Sequence, residues 1–251
     1  MDSDQLFKYV LSLGDDALII AQRLSEWAYK APFLEEDIAL SNISLDMFGR
    51  ANLFLEYAAS IKNDGSTADD LAFKRNEREF TNCLMYEQPN GNFAVTMIRQ
   101  FFLDSYNKLF LEQLTKSNND QLSAIAKKSI KETIYHLRHS SKWILRLGDG
   151  TPESHTKAQS AINDLWMFTG EFFEMNENEK EMEKQKIGVD RYGLKSDWDN
   201  TVDDIFEKST LSRPEDGYMQ TGGRQGIHTE HLGHMLSDMQ YLQRSYPDAK
   251  W

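Results

Sequence analysis

The sequence predicts an all-α protein, a four-helix bundle with additional C-terminal helices. Three observations carry that prediction. Apolar residues recur at intervals of three and four along most of the chain, the pattern of one helical face. Strand-like alternation never persists beyond a few residues. The five prolines, at 32, 89, 152, 214 and 247, all fall where a turn is expected and interrupt no helical pattern. A single domain over 1–251 is expected, because a chain of this length can bury a sizeable core.

The first helix is marked by Leu18, Ile19, Ala21, Leu24, Trp27 and Ala28, and the second by Ile38, Ile43, Met47, Phe48, Ala51, Phe54, Leu55 and Ala58. A third spans about 93–114 through Ile98, Phe101, Phe102, Leu103, Tyr106 and Phe110. A fourth spans about 121–147 through Ile125, Ile130, Ile134, Leu137, Trp143 and Ile144. It is expected to stop at Gly148-Asp149-Gly150-Thr151-Pro152, where glycine caps and proline forbids continuation. A fifth segment, about 154–174, is rich in aromatic residues. The polar stretch 174–186 reads as an exposed helix end or connector, 199–208 as a short helix, and 229–244 as the last helix. The glycine-rich run Thr221–Gly226 lacks the Gly-Lys-Ser/Thr ending of a phosphate-binding loop.

Composition narrows the function classes. Hydrophobic residues make up 40% and charged residues 27%, as in globular proteins, and there is no apolar run of about 18 residues that would span a membrane. Met1-Asp2-Ser3-Asp4-Gln5 lacks the basic and apolar regions of a secretory signal, and Cys83 is the single cysteine, so a cytoplasmic location without disulfides is expected. A net charge of −12 argues against general nucleic-acid binding. It leaves room for a local anion site, and Lys74, Arg75 and Arg78 form the one compact basic cluster. That cluster is either a solvated helix start or a contact for a phosphate-bearing ligand.

The chemistry-bearing signal is a motif that is almost complete. Four-helix bundles that hold two irons use a Glu from each of two helices and a Glu-x-x-His pair from each of the others, because residues three apart share one face. Here His136 has Thr133 where the carboxylate belongs, and Asp46 has Gly49 where the histidine belongs. With Glu26 and Asp104 as the remaining candidates, the donor set falls short of the six a di-iron site needs. The expectation is therefore a carboxylate bundle whose metal site has been abandoned. Glu26, Asp46, Arg50, Asp104 and His136 would then form a buried polar network, since an unpaired buried charge is costly. His228, His231 and His234 form a second cluster, open to a zinc reading or to capping and partner contacts, without a His-Glu-x-x-His pair.

Several longer runs resemble a known family. Glu87-Gln88-Pro89-Asn90-Gly91-Asn92-Phe93-Ala94, preceded by Arg78-Glu79-Phe80-Thr81-Asn82, is similar to the signature of the structural subunits of phenylacetate-CoA oxygenases. So are Gln22-Arg23-Leu24-Ser25-Glu26-Trp27, Tyr135-His136-Leu137-Arg138, Gly226-Ile227-His228-Thr229-Glu230-His231-Leu232-Gly233 and Met239-Gln240-Tyr241-Leu242-Gln243-Arg244. The resemblance implies a ferritin-like fold and a non-catalytic, metal-free role beside a homologous catalytic subunit that carries the di-iron centre. That assembly epoxidises the ring of phenylacetyl-CoA with electrons from NADPH delivered by a separate reductase. The resemblance also makes Lys74, Arg75, Arg78, Glu79, Phe80, Thr81 and Asn82 candidates for holding the CoA end of the substrate. No membrane or nucleic-acid partner is implied, and a homodimer of the isolated chain stays open. Two alternatives remain beside it: an active di-iron oxygenase or ferroxidase in its own right, and a stand-alone helical scaffold. The 14 Phe and 10 Tyr exceed the evident needs of one bundle core, which favours an apolar subunit interface.

Overall fold

A computed structural model describes residues 2–247 and 249. Among the described residues the regular structure is all helical. In chain order the α-helices are α1 (Ser3–Ser25), α2 (Leu34–Lys62), α3 (Ala68–Phe73), α4 (Leu84–Glu87), α5 (Phe93–Leu114) and α6 (Asp120–Gly148). Then follow α7 (Pro152–Leu165), α8 (Glu177–Lys184), α9 (Lys195–Lys208), α10 (Glu230–Met239) and α11 (Tyr241–Ser245). By internal contacts the chain divides into two compact units, Met1–Gln88 with Gly222–Trp251, and Pro89–Thr221.

The first unit is built on α1 and α2. Asp2 caps α1 by accepting from the Asp4 amide at 3.0 Å. From Tyr9 to Leu24 nearly every residue of α1 is buried, charged ones included. α2 turns Leu40, Ile43, Met47, Ala51, Phe54, Leu55 and Ala58 to the core at helical spacing. The two helices run antiparallel: Gly14 lies against Phe54 and Leu55, while Ser44 Oγ donates to the Ala21 carbonyl at 2.8 Å. Gly14 is what allows the approach, since a Cβ there would sit 2.7 Å from Leu55 Cδ2. α2 ends on Asn63, whose φ of 51° is the left-handed conformation that asparagine tolerates at a helix end.

The second unit is built on α5 and α6, also antiparallel, with Phe93 against Trp143 at one end and Ser123 Oγ donating to the Thr115 carbonyl near the connection. The side chain of Asn92 caps α5 through the amides of Ala94 and Val95 at 2.9 and 3.2 Å. α5 is buried on almost every side because α6, α7 and α9 all pack against it. Phe102, Trp166, Trp198 and Phe206 form one aromatic cluster, and Trp198 Nε1 donates to the Phe102 carbonyl at 3.1 Å. Tyr106 stacks on Phe172 with centroids 5.0 Å apart. The aromatic surplus that favoured a subunit interface from sequence is thus largely spent inside this unit.

Elsewhere the boundaries shift for local reasons. Pro152 opens α7 as its first residue, with Thr151 as cap, because the missing proline amide would be unpaired there anyway. The segment expected to stay helical to 174 ends at Leu165 and continues as two 3₁₀ turns through Phe173. The expected last helix is split at Gln240, whose side chain donates to the carbonyls of Ala72 and Arg75. α3, α4 and α8 were too short or too polar to declare themselves by periodicity.

Candidate functional site

In the first unit, the runs that carry the family resemblance fold onto one buried polar cluster. Its centre is Glu87, on α4, fully buried. Oε1 accepts from the amide and hydroxyl of Thr229 at 2.6 and 2.8 Å. Oε2 accepts from Asn82 Nδ2 at 2.9 Å and lies 2.8 Å from His228 Nδ1. The other ring nitrogen of His228 is 2.9 Å from the Phe80 carbonyl. A carbonyl only accepts, so Nε2 carries a proton; a carboxylate surrounded by donors only accepts, so Nδ1 carries one too. The site therefore favours the protonated form of His228 beside Glu87. Burial pulls its pKa down, but the hydrogen bond and charge of Glu87, helped by the Phe80 carbonyl and Glu77, outweigh burial and raise it above its ordinary value.

Around this pair the remaining charges are matched. Arg23 donates through Nε and Nη2 to the Glu87 carbonyl at 3.0 and 2.8 Å, through Nη2 to the His231 carbonyl at 3.1 Å, and pairs with Glu26 at 2.9 Å. Asp16, on α1, pairs with Arg224 at 2.6 Å and accepts from the Cys83 amide at 2.9 Å. Its neighbour Asp15 pairs with Arg75 and accepts from the amide and hydroxyl of Thr81. Arg224 also donates to the Thr81 carbonyl at 2.7 Å. The cluster thus fastens 222–231 to α1 and to the 75–87 connection. Most of its acids and bases satisfy one another in the interior, so it holds segments together.

This geometry splits the expected anion-binding segment. Arg75 is buried under its pair with Asp15, with its guanidinium 4.1 Å from the centroid of Phe80. Phe80 and Asn82 are fully buried, and Thr81 is bound to Asp15. Buried aspartates on an apolar helix demand cations, and Arg75 is consumed by that demand. Lys74, Arg78 and Glu79 stay exposed, and Lys74 pairs with Asp70 at 2.6 Å.

The three histidines do not converge on a common centre. Both nitrogens of His228 are engaged within the cluster, His231 is half-buried on α10 and His234 is exposed.

The degenerate metal positions are placed as follows. In the first unit, Glu26 is bound to Arg23, Asp46 is half-buried, Arg50 is buried and Gly49 is exposed, with open space where a Cβ would stand. In the second, Asp104 is fully buried on α5, accepting from Gln100 Nε2 and Ser140 Oγ at 2.8 Å each. Thr133 and His136 share the buried face of α6, and Thr133 Oγ1 donates to the Ser129 carbonyl at 3.0 Å. Among the described residues no three His, Cys, Asp or Glu side chains are gathered as a metal ion would require. The donors present do not fit a di-iron centre: glycine offers no ligand at position 49, and threonine at 133 stands in place of a carboxylate. Also among the described residues, no helix is long and apolar enough to cross a membrane.

Sequence reasoning missed Glu87, Asp15, Asp16 and Arg224. The available signal was Asp15-Asp16 set inside Leu11-Ser12-Leu13-Gly14…Ala17-Leu18-Ile19-Ile20, since two acids on a helix that is apolar all round must be buried and paired.

Comparison with known proteins gives two concordant findings. The model of the family described as phenylacetic acid catabolic protein matches residues 1–251. The chain is also 48% identical, over 248 residues, to a protein of Escherichia coli (strain K12) named as a subunit of 1,2-phenylacetyl-CoA epoxidase, covering 99% of this chain and 100% of that one.

Proposed function

The chain belongs to the phenylacetic acid catabolic protein family and has its ferritin-like, all-α fold, and from that premise we propose that it is the structural, non-catalytic subunit of a multicomponent di-iron oxygenase. In this reading the assembly epoxidises the aromatic ring of phenylacetyl-CoA during aerobic phenylacetate catabolism in the cytoplasm. A homologous subunit holds the irons, and a separate reductase supplies electrons from NADPH. The observation that carries the reading is the donor set of α2 and α6: Gly49 and Thr133 stand where a histidine and a carboxylate are needed, while Asp104 is hydrogen-bonded to Gln100 and Ser140. A bundle that has lost its ligands yet keeps buried charges paired is suited to supporting a partner. Of the segment proposed for the CoA end of the substrate, Lys74 and Arg78 are the cations that face solvent.

The test is metal analysis and reconstitution. The purified chain is expected to contain far less than one iron per molecule and to turn over no phenylacetyl-CoA with NADPH and reductase. Adding the homologous catalytic subunit is expected to restore turnover in a stable complex. About two irons per chain together with turnover by the isolated protein would replace this reading with that of a self-sufficient di-iron enzyme.

A further inference from the structure

α6 buries apolar residues toward its ends, Leu122, Ile125 and Ala126 at one and Ile144 at the other, but not along its middle. The face buried along the middle of this helix is polar, made by Ser129, Thr133, His136 and Ser140. The larger apolar residues of this middle stretch point elsewhere. Ile134 is 50% exposed and Tyr135 48% exposed, with Ile130 and Leu137 half-buried on the same side. Ile130, Ile134 and Leu137 follow the i, i+4, i+7 spacing of one stripe, roughly a third of a turn from the buried face. An amphipathic helix normally buries its apolar stripe, so one left facing water marks an interaction surface.

The rim of the stripe has a distinct charge. Lys127, Lys128, Lys131, Arg138, Lys142 and Arg146 are all exposed on α6, against Asp120 and Glu132 as its acids. This stands out in a chain whose net charge is −12. The Arg138 guanidinium lies 5.6 Å from the Tyr135 ring centroid, so the basic rim and the apolar stripe meet.

We propose that the outer face of α6, centred on Ile134 and Tyr135 and rimmed by lysine and arginine, is the docking surface for a different subunit that presents an acidic-rimmed apolar helix face. A second copy meeting this face with its own α6 would bring lysine against lysine, which like-charge repulsion opposes. A copy docking with another of its faces makes a head-to-tail contact that propagates unless the rotation closes. A non-identical acidic partner meets neither obstacle. The proposal rests on the subunit reading above and takes the homologous catalytic subunit as the occupant.

The experiment measures binding of that catalytic subunit to the full-length chain by calorimetry, with size and mass from size-exclusion chromatography and light scattering. Ile134→Glu is expected to weaken binding by about thirtyfold or more, as for an anchor at the centre of an interface. The double variant Lys131→Glu/Lys142→Glu lies on exposed positions and spares the core. It is expected to weaken binding by about tenfold at low salt, with a smaller loss at high salt. Lys208→Glu on α9 is the control and should bind as wild type does. Circular dichroism and melting must match wild type for each variant used. Wild-type binding that survives both α6 changes overturns the proposal while leaving the subunit reading intact. No binding by wild type overturns the subunit reading and the proposal with it. A wild-type homodimer that Ile134→Glu converts to a monomer would assign the face to a second copy and overturn the choice of partner.

Discussion

Replacing Glu87 by Gln keeps the shape of the side chain and removes its charge. Four donors converge on the carboxylate: Asn82 Nδ2, His228 Nδ1, and the amide and hydroxyl of Thr229. An amide has one oxygen, so it serves the Thr229 pair and turns its own N–H groups toward Asn82 and His228. His228 relieves its share of the conflict by giving up the Nδ1 proton while Nε2 still donates to Phe80. The Asn82 amide remains donor against donor. Removing one partner of a buried charged pair costs about 3–5 kcal/mol, and the tautomer change recovers part of this, leaving about 2–4 kcal/mol. For a chain of this size that lowers Tm by roughly 5–15 °C. The pH dependence is the sharper signature. Because the folded pKa of His228 is raised, its stabilisation is fully present below the unfolded value near 6.5 and is lost as pH rises through the folded one. Wild-type Tm should therefore fall across that window, and Glu87→Gln should lose this part of the slope. Thermal melts over a pH series test the first claim. NMR titration of the imidazole Cε1 protons tests the second, and with only six histidines in the chain the His228 signal is assignable. If Glu87→Gln melts at the wild-type temperature with the same pH slope, the Glu87–His228 pair contributes nothing to stability.

Two further outcomes follow from the same structure. Gly14→Val should destabilise the first unit by about 1–3 kcal/mol, because the new side chain meets Leu55 between two packed helices; denaturant melts with an unchanged m-value would measure it. Arg75→Ala should destabilise by about 3–5 kcal/mol by stranding Asp15, whereas Lys74→Ala with Arg78→Ala should leave stability nearly unchanged and raise the KM for acyl-CoA in the assembled complex. An unchanged KM would remove the exposed half of this segment from substrate binding.

The long helices were legible because each has to bury a stripe, and the stripe is written in the spacing of its apolar residues. α5 was expected at 93–114 and lies at Phe93–Leu114. The residue types at positions 49 and 133 were equally legible, since no packing gives glycine a donor atom or threonine a carboxylate. Periodicity fails where a helix is short or polar, as in α8, and where interior and apolar face do not coincide, as in α6. There Ile134 looked like core and is half in water, while Ser129, Thr133 and Ser140 are buried.

Charges were the least legible feature. The Lys74–Arg78 segment reads as one basic patch, yet Arg75 is drawn inside by Asp15, some 60 residues earlier in the chain. The histidine trio reads as ligands or as capping and partner contacts, and His228 is claimed by Glu87, 141 residues away. What the sequence determined alone is therefore what depends on residue type and local period: an all-α chain and the places of its long helices. Only the tertiary structure decided which charges are interior and which partner each one takes. A buried charge is stabilised by whatever long-range contact brings its opposite within about 3 Å, and local spacing carries no record of that contact.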